Sequence, residues 1–248
     1  MVLIVLLSAP AVTGLFFIDP VPQDAGYHNF GDTRQLFGIP NFWNVVSNLP
    51  FFVVGIWGSY LIGIKKIPNL IADIRYTYLA MYVGVTLVGV GSAYYHLWPD
   101  NETLLWDRLP MTISFVALFC IVVSEFVSVK AGKILLIPLL LAGASSVIYW
   151  YIGELSGIGD LRFYALVQFL PMILIPVILL FFHSRFDQTK AYWLLLLIYI
   201  VAKILEHFDV EILSAVGFVS GHSLKHIIAA LGLYWLANSY RKRHLKAD

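Results

Sequence analysis

Residues 76–98 read YTYLAMYVGVTLVGVGSAYYHLW. These 23 residues include no Asp, Glu, Lys or Arg. About 20 apolar residues of α-helix cross a hydrocarbon core of about 30 Å, so the stretch predicts a transmembrane helix. Working outward from it, comparable apolar runs occupy residues 2–18, 41–64, 108–129, 133–152, 161–183, 190–206 and 221–240. Strand-like alternation is absent, which argues against a β-barrel. The expected fold is therefore an all-α integral membrane protein, a seven-transmembrane helix bundle with an additional N-terminal helix.

Composition agrees with this reading. Hydrophobic residues make up 60% of the chain and charged residues 12%, and the mean hydropathy is +0.81. A soluble domain holds roughly half apolar and a quarter charged residues. The single cysteine, Cys120, lies mid-span in LFCIVV, which excludes an internal disulfide and predicts a packing role. The opening MVLIVLLSAPAVTGLFFI has the length of a signal peptide but not its basic start, so a retained helix is expected. The chain divides into an N-terminal apolar helix and extracytoplasmic segment (1–40), a membrane domain (41–240) and a basic tail (241–248).

Charge sets the orientation. With the seven helices counted from 41–64, connections alternate between the two sides of the membrane. One set holds Lys65, Lys66, Arg75, Lys130, Lys133, Arg185, Lys190, Arg241, Lys242, Arg243 and Lys246; the other holds only Arg34, Arg108 and Arg162, with most of the loop carboxylates. The positive-inside rule places the first set, and the C-terminus, in the cytoplasm. The basic RKRHLK tail is expected to lie against anionic lipid, with no nucleic-acid partner.

Polar residues gather on the opposite side. Ser92 and His96 are four apart near the outer end of the second helix and share a face, while Asp107 begins the third helix beside them. The seventh helix opens with SGHSLKH, where His222 and His226 are again four apart. Three imidazoles at one depth can offer nitrogens to a single zinc (Zn2+), leaving a fourth tetrahedral position for water. Helix-to-helix hydrogen bonding is the alternative for any one of these histidines. Three of them beside an aspartate and a serine in lipid favour the metal, because buried polar groups there are costly unless they pair or function. Bis-imidazole haem fits poorly, since a pair at i and i+4 converges on one small ion.

Three blocks carry a family resemblance: FWNVVSNLPF at 42–51, GVGSAYYH…LLWDRLPM at 89–111 and GHSLKHIIAALGLYWL at 221–236. The pattern of serine-x3-histidine, aspartate, then histidine-x3-histidine resembles the alkaline ceramidases and their wider membrane hydrolase superfamily, which includes the progestin and adipoQ receptors. A bacterial-type member is expected. The resemblance implies zinc held by His96, His222 and His226 with a water, Asp107 holding that water and shuttling its proton, and Ser92 helping to stabilise the oxyanion. It also implies hydrolysis of the amide of ceramide or another N-acyl lipid, to a sphingoid base or lyso-lipid and a fatty acid. Calcium-dependent members carry a glutamate just before FWN; Asn41 stands there, so no calcium site is expected. The alternative function is a zinc-containing, receptor-like lipid binder without turnover, against which stands the short cytoplasmic tail. A transporter is disfavoured because no inverted repeat is visible.

Other polar residues are open to bland readings. Asn44, Ser47 and Asn48 are expected to hydrogen-bond between helices, with orientation of the site as the alternative. Lys203 and Glu206 form a possible ion pair, and Glu206, His207 and Asp209 approach the metal side, where a role in orienting a ligand histidine competes with a structural one. Lys225 points off the His222/His226 face, toward an acidic partner such as Glu206. Trp43, Trp98 and Trp106 are expected at the membrane interface, and Gly84, Gly89 and Gly91 at close helix contacts.

Overall fold

A computed structural model describes residues 2–246. No strand occurs among the described residues. Helix α1 (Val2–Gly14) leads through a 3-10 turn at Leu15–Phe17 into an irregular segment that runs to Asn41. The first predicted family span is one apolar element, Phe42–Ile64, built from α2 (Phe42–Val46), α3 (Leu49–Ser59) and a closing π turn, Tyr60–Ile64. There follow α4 (Arg75–Leu97), α5 (Asn101–Phe126), α6 (Val129–Leu155), α7 (Arg162–Phe181), α8 (Lys190–His207), α9 (Asp209–Val216) and α10 (Gly221–Lys242).

Five elements are by themselves long and apolar enough to cross a membrane, and α9 with α10, bent by 100°, passes the same criterion as a pair. Helix α8 carries three charged residues, Lys190, Lys203 and Glu206, and is not among the five. At about 1.5 Å per residue, the 13 residues of α1 reach only about two-thirds of a hydrocarbon core. Ile134, Ile137, Leu141, Leu180, Phe181, Leu197 and Ile200 all point outward and are more than half exposed. An apolar exterior of this kind suits lipid rather than water, and the chain is a multi-pass membrane protein.

The helix ends explain where the polar groups sit. Asp100 accepts the Thr103 N–H at 2.7 Å, and Thr103 Oγ1 accepts the Asp100 N–H at 3.2 Å, a capping box that starts α5 at Asn101. The apolar pattern alone started this helix at 108, so Asp107 is not its first residue but lies almost two turns inside it. Ser220 caps α10 by accepting the Ser223 N–H, just after Gly217 ends α9 at φ +83°. Helix α5 is the most enclosed of the spans and α6 the most peripheral. A Cβ on Gly91 would collide with the Trp106 carbonyl, and one on Gly89 would lie 2.6 Å from the Phe52 nitrogen. Helix α4 thus meets both neighbours backbone to backbone, the close contact expected of these glycines.

At the end of the bundle away from the histidines the structure departs from the expected lipid-facing tail. Arg241 and Lys242 still belong to α10. Arg243 is buried and pairs with Glu125 at 2.7 Å, while Tyr78 and Tyr192 donate to the two Glu125 oxygens at 2.5 and 2.9 Å. A carboxylate enclosed in the bundle requires a countercharge, and Arg243 supplies it.

Candidate functional site

His96 stands in the last turn of α4, and His222 and His226 stand one turn apart at the start of α10. All three are buried, and each offers a ring nitrogen within 4.8 Å of the others. The Nε2 atoms of His96 and His222 are 3.2 Å apart. Two neutral imidazole nitrogens at that distance can share one proton in a hydrogen bond, or both can turn lone pairs to a cation between them. The separation is close to the edge of a tetrahedron with bonds of about 2.0–2.1 Å. His96 Nδ1 is in addition buried with no hydrogen-bond partner among the described residues. The donor set fits a metal.

Surrounding residues decide which nitrogens face inward. Ser47 Oγ lies 2.9 Å from His226 Nδ1 and donates to the Asn44 carbonyl at 3.1 Å. Its lone pairs then accept a hydrogen bond from Nδ1–H and leave the lone pair of His226 Nε2 free. Asn44 Oδ1 accepts from Ser223 Oγ at 2.8 Å, and Asn44 Nδ2 donates to the Asp32 carbonyl at 2.9 Å. Asn44 and Ser47 therefore link helices and also fix the site, which joins the two roles the sequence held apart. Asn48 donates only locally, to the Asn44 carbonyl. Asn41, in a left-handed conformation, donates to the His96 carbonyl at 2.9 Å.

Asp107 and Ser92 line a cavity of about 360 Å³ together with His226, and the Ser92 side chain is in hydrogen-bonding reach of the Asp107 carboxylate. The contact of Gly91 with Trp106 sets this pair, since each residue is the next in its chain. Beyond this polar end the cavity is walled by Phe115, Leu118, Met172, Ile175, Leu195 and Leu196. Such a space suits an apolar chain with its polar group held at one end.

Glu206 takes Lys203 at 2.5 Å and also pairs with Lys225, so the expected ion pair is a three-residue cluster at the cavity edge. His207 is exposed and does not join the site. Trp98, just past the end of α4, and Trp106, in the second turn of α5, are both exposed.

Asp209 takes the orienting role weighed for it in the sequence, and further participants were not evident there. Asp209 accepts the His222 backbone N–H at 2.7 Å and the Gly31 N–H at 2.7 Å, holding the start of α10. The irregular segment folds over the centre: the Phe30 ring lies 4.6 Å from the rings of both His96 and His222, and His28 contacts Tyr95 and Asn101. Asp32 anchors this cover with Arg34 at 2.6 Å, and Arg34 reaches the Phe218 carbonyl at 2.8 Å. Burial raises the Asp32 carboxyl, but hydrogen bonds from the Arg34 side chain and backbone outweigh it and hold the group below its ordinary value. The contacts of His28, Phe30 and Gly31 have no local sequence signal, because their partners lie in distant parts of the chain, whereas Asp32 and Arg34 are two residues apart.

Fold and site together define a helical membrane protein with a buried three-histidine centre at the polar end of an apolar cavity. A family model described as Ceramidase matches residues 37–241. The chain belongs to the ceramidase family. Over 106 residues, 43% of this chain and 37% of the relative, it is 32% identical to alkaline ceramidase 3 of Mus musculus. Over 95 residues, 35% of this chain and 33% of the relative, it is 30% identical to putative alkaline ceramidase dcd3A of Dictyostelium discoideum. These matches span about a third of the length of either curated relative.

Proposed function

We propose that this protein is a zinc-dependent membrane amidohydrolase that cleaves the N-acyl bond of ceramide or a ceramide-like lipid. In this reading α8 and α10 also cross the bilayer, giving seven spans, with the C-terminus cytoplasmic and the histidines toward the outer side. The observation that carries it is the meeting of His96, His222 and His226 beside Asp107 and Ser92, at the polar end of an otherwise apolar cavity. The family match and the names of the two relatives supply the lipid amide.

His96, His222 and His226 would hold the metal, His226 through Nε2. Bound there, zinc would supply a Lewis acid and lower the pKa of a coordinated water to about 7. Asp107 accepts the proton of the attacking water and returns it to the amine as the C–N bond breaks; Ser92, whose single O–H orients Asp107 beforehand, turns it to the developing oxyanion once Asp107 is protonated. The cavity takes the acyl chain, and the Phe30 cover limits water at the centre. Asn41 in place of an acidic residue disfavours calcium.

The test is zinc content and fatty-acid release in detergent-purified protein, wild type against His222→Ala. About one zinc per chain and metal-dependent turnover of a C16 ceramide, both lost in the variant, support the reading. Folded wild type that takes up no zinc, or releases fatty acid equally without it, overturns it.

A further inference from the structure

The cavity extends well beyond the groups that the proposed chemistry uses. Its lining residues farthest from the histidines are Met81 on α4, Leu118 on α5, Ile175 on α7 and Tyr192 on α8. Ser92 to Met81, Asp107 to Leu118 and Lys203 to Tyr192 are each eleven positions of helix, or about 16 Å at about 1.5 Å per residue. Three helices thus give one depth. It is roughly half of a hydrocarbon core of about 30 Å, the share that the tails of one leaflet occupy.

What lies beyond that end is polar. Tyr192 donates to Glu125 Oε2 at 2.9 Å, and its oxygen is 3.2 Å from the Tyr240 hydroxyl. The other Glu125 oxygen takes Tyr78 at 2.5 Å and Arg243 at 2.7 Å, and Arg243 donates in turn to the Asn69 carbonyl at 2.8 Å. Glu125, Arg243 and the three tyrosines are all buried. Replacing an enclosed ion pair by apolar packing is often neutral for stability, whereas removing one partner is strongly destabilising. That asymmetry suits a wall that must not move. An apolar floor can repack around a longer chain, but Tyr192 cannot swing aside without leaving a buried carboxylate short of a donor.

We propose that Tyr192, fixed by Glu125 and its partner Arg243, is a specificity-determining residue that closes the acyl cavity. It limits the substrate class to ceramides whose N-acyl chain is no longer than the tails of one leaflet. This inference rests on the amidohydrolase reading above for its substrate, but its binding arm does not require turnover.

The test is a series of ceramides with one sphingoid base and N-acyl chains of C12, C16, C20 and C24. Fatty-acid release is measured with the zinc-loaded full-length protein, and binding by displacement of a fluorescent C12 ceramide from Asp107→Ala. The expected kcat/KM rises to C16 and is lower at C24 by about tenfold or more, the effect of displacing a hydrogen bond to a charged group. Binding follows the same order. Tyr192→Ala moves the optimum to C20 or longer, and Leu118→Phe, which fills the cavity from another helix, moves it below C16. Tyr192→Phe keeps the ring but not the bond to Glu125, and narrows the gap between C16 and C24. A wild-type profile that is flat or still rising at C24 overturns the proposal without relying on any variant's folding. So does an unshifted optimum in folded Tyr192→Ala and Leu118→Phe, and an unchanged gap in Tyr192→Phe overturns the part given to Glu125. Chain-length-selective binding without release from any ceramide would sustain the floor and remove the hydrolase reading instead, while equal release from all four would do the reverse.

Discussion

Ser47 Oγ lies 2.9 Å from His226 Nδ1, so a residue between α2 and α3 sets which nitrogen of an α10 histidine faces the centre. Removing a partner of this kind typically lowers metal affinity about 10- to 100-fold. Ser47→Ala is expected to do so with little change in overall stability. Competition against a chelator of known affinity reads the effect, and unchanged retention of zinc would count against the orienting role.

Asp107→Ala separates proton transfer from metal binding. The variant is expected to keep its zinc and to lose about 10²–10⁴-fold in amide hydrolysis, the range of a general acid–base contribution. Metal content and fatty-acid release on the same preparation decide it; full activity would remove Asp107 from the mechanism.

Gly91 lets α4 touch the Trp106 carbonyl of α5. Gly91→Ala should push apart the helices that carry Ser92 and Asp107, at a cost of about 1–3 kcal/mol. Thermal unfolding in detergent reads the stability loss, and a drop in kcat with KM nearly unchanged reads the misplacement. Wild-type behaviour in both would show that the contact is slack.

Asp209 ties the His222 and Gly31 backbones together. Asp209→Ala leaves both N–H groups without their carboxylate and is expected to cost about 1.5–3 kcal/mol, with weaker zinc binding. Hydrogen exchange at the start of α10 and around residue 31 should rise in step. Exchange confined to one of the two segments would refute the coupling.

Asp32 gives a pH dependence with a definite sign. Its carboxyl is held below its ordinary value in the fold, so its ion pair with Arg34 stabilises the cover fully above the unfolded pKa of about 3.9. That stability is lost as pH falls through the lower, folded value. Asp32→Asn should therefore be less stable than wild type at pH 7, and the difference should shrink below about pH 4. A constant difference across that range would mean that the charge is not what Asp32 contributes.

Local periodicity made much of this protein readable. The uncharged run at 76–98 predicts a helix because backbone groups in lipid must bond within the segment. His222 and His226, like Ser92 and His96, share a face because residues four apart stack on one side of a helix. That Lys225 points off the histidine face follows from the same repeat; its pairing with Glu206, offered as one acidic partner, is seen in the fold. The start of α5 was misread by seven residues, because the polar stretch at 101–107 hides a helix that begins with a capping box.

What only the tertiary structure decided depends on contacts between distant parts of the chain. Ser47 and His226 are 179 residues apart, and Gly31 and Asp209 are 178 apart. No periodicity links such pairs, so neither the chosen nitrogen of His226 nor the tie between Gly31 and Asp209 was visible beforehand. The burial of Arg243 against Glu125 and that of Arg108 among Trp150, Tyr164 and Tyr27 belong to the same class. Sequence determines which groups a helix presents along its own face, because that geometry is local. Whether a presented charge meets a partner or is left facing a cavity depends on how the faces pack.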